Sequence, residues 1–234
     1  YSHTFGSWQL DPQFIYGRYS GTIAVGSNNS IQANIDDRNF VGASLHASYN
    51  DWLNLRAGYF QSQLTLNNTP VDPLVAGLQQ AGLNQAARDL AVDGDSSSFL
   101  ELGSEIDYAK WQFIGEYVEL KSPHNYLAAS HDFYVALGRH FGKFLPMFTY
   151  GRQNNGTSAD VLNEIPNAAP YAPLKAGVAG VLAAQAAHDS YYQFDLRYDL
   201  ANNVALKADF TTFNSSIAGK TSSNLVSAAI AFSF

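Results

Sequence analysis

The sequence predicts an all-β fold, a transmembrane antiparallel up-and-down β-barrel with about ten strands. Three observations carry that reading. Apolar and polar residues alternate with a period of two in about ten separate runs, the mark of a strand with one apolar face. Short turns alternate along the chain with long connections, the asymmetry that membrane barrels show between their two ends. Aromatic residues flank the short turns in pairs, which suits a membrane interface where amphipathic rings sit between lipid tail and water.

Composition is consistent with this and excludes other classes. The chain has 234 residues, no cysteine, one methionine, 14% aromatic residues and a formal net charge of -7. Without cysteine there is no disulfide framework and no thiolate metal site. An acidic balance without a basic stripe argues against nucleic acid as a partner. No apolar run approaches the roughly 20 residues of a membrane helix. Mean hydropathy is slightly negative. A barrel escapes such a scan because only alternate residues face lipid.

The runs follow in order. Trp8, Leu10, Phe14 and Tyr16 alternate with Gln9, Asp11, Gln13 and Gly17. Val41, Ala43, Leu45, Ala47 and Tyr49 oppose Gly42, Ser44, His46 and Ser48, and Leu53, Leu55, Ala57 and Tyr59 oppose Asn54, Arg56 and Gly58. Leu100, Leu102, Ile106 and Tyr108 oppose Glu101, Gly103, Glu105 and Asp107. Trp111, Phe113 and Tyr117 oppose Gln112 and Glu116, with Ile114 and Val118 blurring the pattern. Phe133, Val135 and Leu137 oppose Asp132, Tyr134, Ala136 and Gly138. Phe144, Pro146, Phe148 and Tyr150 make the next run, then Tyr192, Phe194, Leu196 and Tyr198 against Gln193, Asp195 and Arg197. Val204, Leu206, Ala208 and Phe210 oppose Ala205, Lys207, Asp209 and Thr211. The final run, "NLVSAAIAFSF", sets Val226, Ala228, Ile230 and Phe232 against small or polar residues and stops on Phe234.

Turns are expected at Gly6-Ser7, Asn50 to Trp52, Ala109-Lys110, Gly142-Lys143 and Ala201 to Asn203. Three of them carry aromatic pairs at positions that face the same side of a hairpin: Phe5/Trp8, Tyr108/Trp111 and Phe141/Phe144. The long connections are expected over 20–38, 67–97, 121–130, 153–189 and 214–224. In a meander every short turn then lies at one end of the barrel and every long loop at the other, so 1–234 reads as a single barrel domain. Within 67–97, "VDPLVAGLQQAGLNQAARDLAVDG" places Leu74, Leu78, Leu83 and Leu90 at helical spacing, with Asp72 and Pro73 as a start and Gly94 as a stop. Within 153–189, "APYAPLKAGVAGVLAAQAAHD" is Ala-rich and nearly uncharged, so a helix there must pack on the barrel, its mouth or a neighbour. Such loops read either as a constriction that sets pore size or as surface helices packed on other loops.

The terminal Phe234, preceded by alternating apolar residues, resembles the C-terminal recognition strand of Gram-negative outer-membrane barrels. The stretches "DYAKWQFIGEYVEL", "FYVALGRHFGKFLPMFTYGRQ" and "FDLRYDLANNVALKADF" resemble the C-terminal portion of general diffusion porins. That resemblance implies a location in the outer membrane and passive diffusion of small hydrophilic solutes or ions through a polar lumen. It implies contact with outer-membrane lipids, lipopolysaccharide and the barrel assembly machinery, which would read Phe232 and Phe234, and it offers a homotrimer as the assembly. It brings no catalytic motif and no cofactor. "YSHTF" already alternates Tyr1, His3 and Phe5 before the first turn, so the chain is expected to begin inside a strand. Two readings follow: the C-terminal part of a larger barrel of about 16 strands, or a ten-stranded barrel preceded by a short arm.

On the phase assigned inward, the pore-lining acids are Asp11, Glu101, Glu105, Asp107, Glu116, Asp132, Asp195 and Asp209, against Arg56, Arg197 and Lys207. This predicts weak cation selectivity, with Asp195, Arg197, Lys207 and Asp209 expected to pair in part across adjacent strands. No enzyme is expected: His131-Asp132 and His188-Asp189 read as solvated rim residues, His46 stands alone on the inward phase, and no metal-ligand spacing is present. The alternative to a channel is a structural or ligand-binding barrel, such as an adhesin, receptor or complex scaffold, closed by its loops.

Overall fold

The structure, a computed structural model, describes residues 2–25, 31–122, 126–216 and 222–232. Within them, one antiparallel sheet of eleven strands follows chain order with no crossover. The strands are β1 (His3–Phe5), β2 (Trp8–Val25), β3 (Ile31–Tyr49), β4 (Leu53–Asn67), β5 (Asp93–Tyr108), β6 (Trp111–Lys121), β7 (Ala129–Arg139), β8 (Phe144–Gly156), β9 (Ala187–Ala201), β10 (Val204–Asn214) and β11 (Ser223–Phe232). β1 and β11 are the edges, and no ladder joins them among the described residues. The short strand before the first turn and the ten that follow it are those the alternation predicts.

Register gathers the apolar residues on one face. Val135 stands opposite Tyr150, Tyr150 opposite Tyr192, and Phe148 opposite Phe194, so outward side chains of β7, β8 and β9 form continuous rows. Large apolar residues remain exposed on this face across the sheet, from Phe14 and Tyr16 to Val226 and Ile230. A contiguous apolar surface of that extent is stable only against lipid or another apolar partner. At the short-turn end it is bounded by aromatic rings in contact: Trp8 to Tyr49 at 4.9 Å, Tyr49 to Trp52 at 5.7 Å, Trp52 to Tyr108 at 5.3 Å and Phe144 to Tyr198 at 4.7 Å between centroids. The Arg139 guanidinium spans the gap between them, 4.9 Å from the Trp111 ring and 5.3 Å from Phe141. The pairs Phe5/Trp8, Tyr108/Trp111 and Phe141/Phe144 stand opposite one another. The Ala109-Lys110 turn takes positive φ at both residues, 51° and 72°, the twisted two-residue turn that keeps its flanking strands paired.

Among the described residues the long-loop end carries four α-helices, α1 (Asp72–Gln80), α2 (Asn84–Leu90), α3 (Asp160–Asn163) and α4 (Ala172–Gln185), the last preceded by a 3₁₀ turn at Ala169–Tyr171. The largest fully buried side chains of the described residues, Leu78, Leu90, Ile165, Val71 and Val178, all lie in this cap and not in the sheet. The cap packs on the upper ends of the strands through Ile23, Ile35, Leu64 and Leu66, and Tyr126 joins the cluster from the connection after β6. α1 and α4 clasp each other reciprocally. A Cβ on Gly77 would lie 2.8 Å from Leu174 Cδ2, and a Cβ on Gly177 would lie 2.8 Å from Leu74 Cδ2. Each leucine therefore occupies the hollow left by the other helix's glycine. Both helices carry the same five-residue pattern, Pro-Leu-x-Ala-Gly, at 73–77 and 173–177.

The structure corrects several boundaries. Residues 20–25 and 31–38, expected as loop, are strand: β2 runs on to Val25 and β3 starts at Ile31. One extra residue in β3 near Asn39, whose φ is +52°, shifts its register against both β2 and β4, moves the alternation of β3 by a residue and hides the strand continuation. The segment 71–94 does not form one helix. It breaks at Gly82, whose φ is +78°, and Gly94 sits in the bulged start of β5 instead of stopping a helix.

Two expectations follow. Arg in place of Leu196, between the outward rings of β9, should destabilise the protein in lipid vesicles by about 2–4 kcal/mol, and Arg in place of Gln193 by far less; equal penalties on unfolding would contradict the assignment of faces. Replacing Gly177 with Val should drive Leu74 from its hollow and loosen the cap by about 1–3 kcal/mol. Hydrogen exchange should then quicken in α1 and α4 while the amides of β6–β9 keep their protection.

Candidate functional site

The face opposite the apolar one is polar, and one register row crosses ten strands of it. Asp11 stands opposite His46, His46 opposite Arg56, Arg56 opposite Gly103, and Gly103 opposite Glu116. The row continues through Tyr134, Gly151, Tyr191 and Phe213 to Ser223. Arg56 is its centre. Its guanidinium pairs with Glu101 on β5 and, at 3.1 Å, with Glu116 on β6, and the Tyr134 hydroxyl donates to Glu116 at 3.3 Å. Arg56 lies across β5 at Gly103, where a Cβ would sit in ordinary van der Waals contact, 3.6 Å from Arg56 Nε. Tyr191 depends on its glycine: a Cβ on Gly151 would come within 2.1 Å of the tyrosine ring. Tyr191 lies on bare backbone, its ring 6.0 Å from that of Phe213 and tilted 39° to it.

Every inward acid and base named from the sequence falls on this polar face, but their pairing differs from expectation. Glu101 and Glu116 share Arg56, whereas the Glu105 carboxylate accepts from the Gln112 amide at 3.5 Å. Asp107 lies 3.8 Å from His140, and Asp132 accepts the backbone N–H of Asn154 at 3.1 Å. Asp195, Arg197, Lys207 and Asp209 do not pair across their strands. Asp195 stands opposite Asp209, and Arg197 opposite Lys207. Arg197 bonds instead to Asp199 on its own strand at 2.7 Å, Asp195 accepts from Gln193 at 2.6 Å, and Asp209 accepts from the Ser227 hydroxyl. The physical reason is register: alternation assigns a face, whereas the bulge at the β9–β10 turn decides which residue stands opposite which.

The two His-Asp dipeptides place their members on opposite faces of the sheet. His131 stands opposite Glu119 on the apolar side, above the aromatic rings, while Asp132 faces inward, and His188 and Asp189 are split in the same way. His46 lies 3.9 Å from Asp11, beyond a hydrogen bond. Among the described residues no group of three or more His, Asp or Glu is placed to hold a metal ion. Phe232 ends β11, exposed on the outward phase, and Phe234 lies outside the described residues. Sequence reasoning passed over the inner aromatics Tyr191 and Phe213 and the two glycines of the row; the usable signal was an aromatic residue on the phase otherwise held by polar ones.

Above the wall, the cap holds a carboxyl whose ionisation is tied to its packing. The half-buried carboxyl of Glu164, after α3, faces Asp89 of α2; burial first, and the neighbouring carboxylate second, push its pKa above the ordinary value.

No family model and no curated protein matches the sequence. Solved structures do. The anion-selective porin from Comamonas acidovorans aligns with a TM-score of 0.55 at 10% identity, over 99% of this chain and 57% of its own. The outer-membrane channel DcaP of Acinetobacter baumannii aligns with a TM-score of 0.59 at 12% identity, over 100% of this chain and 61% of its own. The chain has the fold of Gram-negative outer-membrane porins. It spans less than two thirds of the length of these two structures.

A raised pKa in the fold means that the protonated Glu164 is the form the cap favours. The resulting stability is full below the ordinary value of 4.5 and is lost as pH rises through the higher folded value. Protection factors of α2 and α3 should therefore fall with rising pH in the native chain. In Glu164→Gln they should stay flat, and an unchanged slope would contradict the assignment.

Proposed function

We propose that this chain forms the wall of an outer-membrane porin through which small hydrophilic solutes or ions diffuse, with weak preference for cations. The observation that supports it best is the division of one sheet into an apolar face bounded by aromatic rings and a polar face crossed by a charged row. That division suits a wall between lipid and a watery lumen, and a location in the outer membrane of a Gram-negative bacterium, in contact with lipid and lipopolysaccharide. Among the described residues the edges along β2 with its short partner β1, and at β11, lack ladder partners, which hydrocarbon demands, so the reading includes closure of the sheet by further strands. Phe232 and Phe234 serve as the signal for the assembly machinery, and the protein works without catalysis or cofactor, as a homotrimer.

Field and width set what passes. With Arg56 held between Glu101 and Glu116, the acidic surplus moves to Glu105, Asp107 and Asp132. The Comamonas porin is described as anion-selective, so the cation preference proposed for this chain rests on its own lumen residues and not on the shared fold. The Debye length of about 8 Å at physiological salt keeps the preference small there and larger in dilute salt. The cap, with its own apolar core, favours a second reading in which the loops close the barrel and it binds a ligand or scaffolds a complex.

Planar-bilayer recordings separate the two. The channel reading expects conductance steps and, in a KCl gradient in dilute salt, a reversal potential of cation sign that shrinks in a Glu105→Gln, Asp107→Asn, Asp132→Asn variant. Absence of steps would favour the closed barrel, and a neutral or anionic potential would overturn the selectivity.

A further inference from the structure

The strands β9 and β10 set like charges against like at two successive inward positions, Asp195 against Asp209 and Arg197 against Lys207. Cβ atoms of directly opposed residues lie about 4.5–5.5 Å apart, and like charges there repel. Exchanging Lys207 and Asp209 would place a base opposite each acid at no change in composition. The native order instead leaves two separated poles. Asp195 and Asp209 are each oriented by a neighbour's donor, Gln193 and Ser227. Among the described residues no carboxylate lies within 4 Å of the Lys207 ammonium, and Arg197 touches only Asp199. The residues that bear the poles stand two apart along each strand, about 6.6–6.8 Å between their backbone positions.

They also share a cavity of about 470 Å³ on the inner face, whose floor includes Ile114, Ala136, Leu145 and Met147. Ala136 and Leu145 are buried, and the Tyr134 and Tyr191 rings stand at its side toward the charged row. The site thus offers a negative pole, a positive pole and an apolar floor.

We infer that this cavity binds zwitterions whose ammonium and carboxylate are about 7 Å apart, the ammonium between Asp195 and Asp209 and the carboxylate between Arg197 and Lys207. One residue of extended chain spans about 3.3–3.6 Å, so a dipeptide matches the pole spacing and a single α-amino acid falls short by half. Charge-assisted contacts at both ends supply the selectivity. The inference rests on the reading of this face as a lumen wall, and it narrows the solute class.

Calorimetric or NMR titration of the refolded full chain in detergent with alanyl-alanine tests it without requiring conductance. Alanyl-alanine should bind on the order of tenfold more tightly than alanine, N-acetylated alanyl-alanine or its amide, each of which lacks a charge or the reach. The exchange variant Lys207→Asp/Asp209→Lys should lose that preference while its thermal unfolding rises or holds, because it gains cross-strand ion pairs. Lys207→Arg should keep it. Equal binding of the four probes, or an exchange variant that binds alanyl-alanine as well as the native chain, would overturn the inference. An absence of bilayer conductance with dipeptide binding intact would remove the channel and leave the site.

Discussion

The constraint on which the rest depends is the hydrogen bonding of backbone in hydrocarbon. Each unpaired N–H or C=O there costs several kcal/mol, so a chain that crosses with strands must pair them side by side. Among the described residues the ladder from β2 to β11 meets that demand apart from its bulges, and leaves it open at β11 and along β2 beyond Leu10, where the three-residue β1 gives no partner. Once the ladder is fixed, the pleat dictates two faces, and all the chemistry of the wall follows from which residues occupy which. Lipid on one side tolerates Leu, Val and Phe, with rings where it gives way to water; the other side is free to carry charge.

Two separate cores result. The wall has almost no buried interior of its own, because its apolar side chains point into lipid. The cap is packed like a small soluble domain, built from connections that hold helices a hundred residues apart in sequence and clasp them through Leu74 on Gly177 and Leu174 on Gly77. Its grip on the wall is confined to strand ends such as Ile35 and Leu66. Cap and wall can therefore respond to different conditions, and the Glu164 carboxyl belongs wholly to the former.

How much of this was legible in the sequence depends on what each residue faces. Between the aromatic rings one face meets lipid and the other water, and the period of two is sharp in β5, β9 and β11. Above the rings Ile23, Ile35, Leu64 and Leu66 pack beneath the cap and the bulge in β3 after Arg38 resets its phase, so the alternation of the upper halves of β2 and β3 reads as loop. The helices of the cap were visible as leucine spacing and alanine content, but the break at Gly82 and the clasp were not, since the clasp emerges only when two distant loops are set beside each other. At the wall, alternation told which charges share a face. It could not tell that Arg56 would cross over Gly103 to reach Glu116, or that Asp195 would meet Asp209, because both depend on register between strands.

The chain lacks cysteine, so single cysteines report their surroundings against a clean background. The most direct measurement is the reaction of a membrane-impermeant maleimide with cysteines placed one at a time from Tyr192 to Tyr198 in the vesicle-embedded protein. A wall between lipid and a watery lumen predicts labelling at 193, 195 and 197 and protection at 192, 194, 196 and 198. Uniform labelling of all seven positions would show that neither face of β9 meets lipid and would contradict the account.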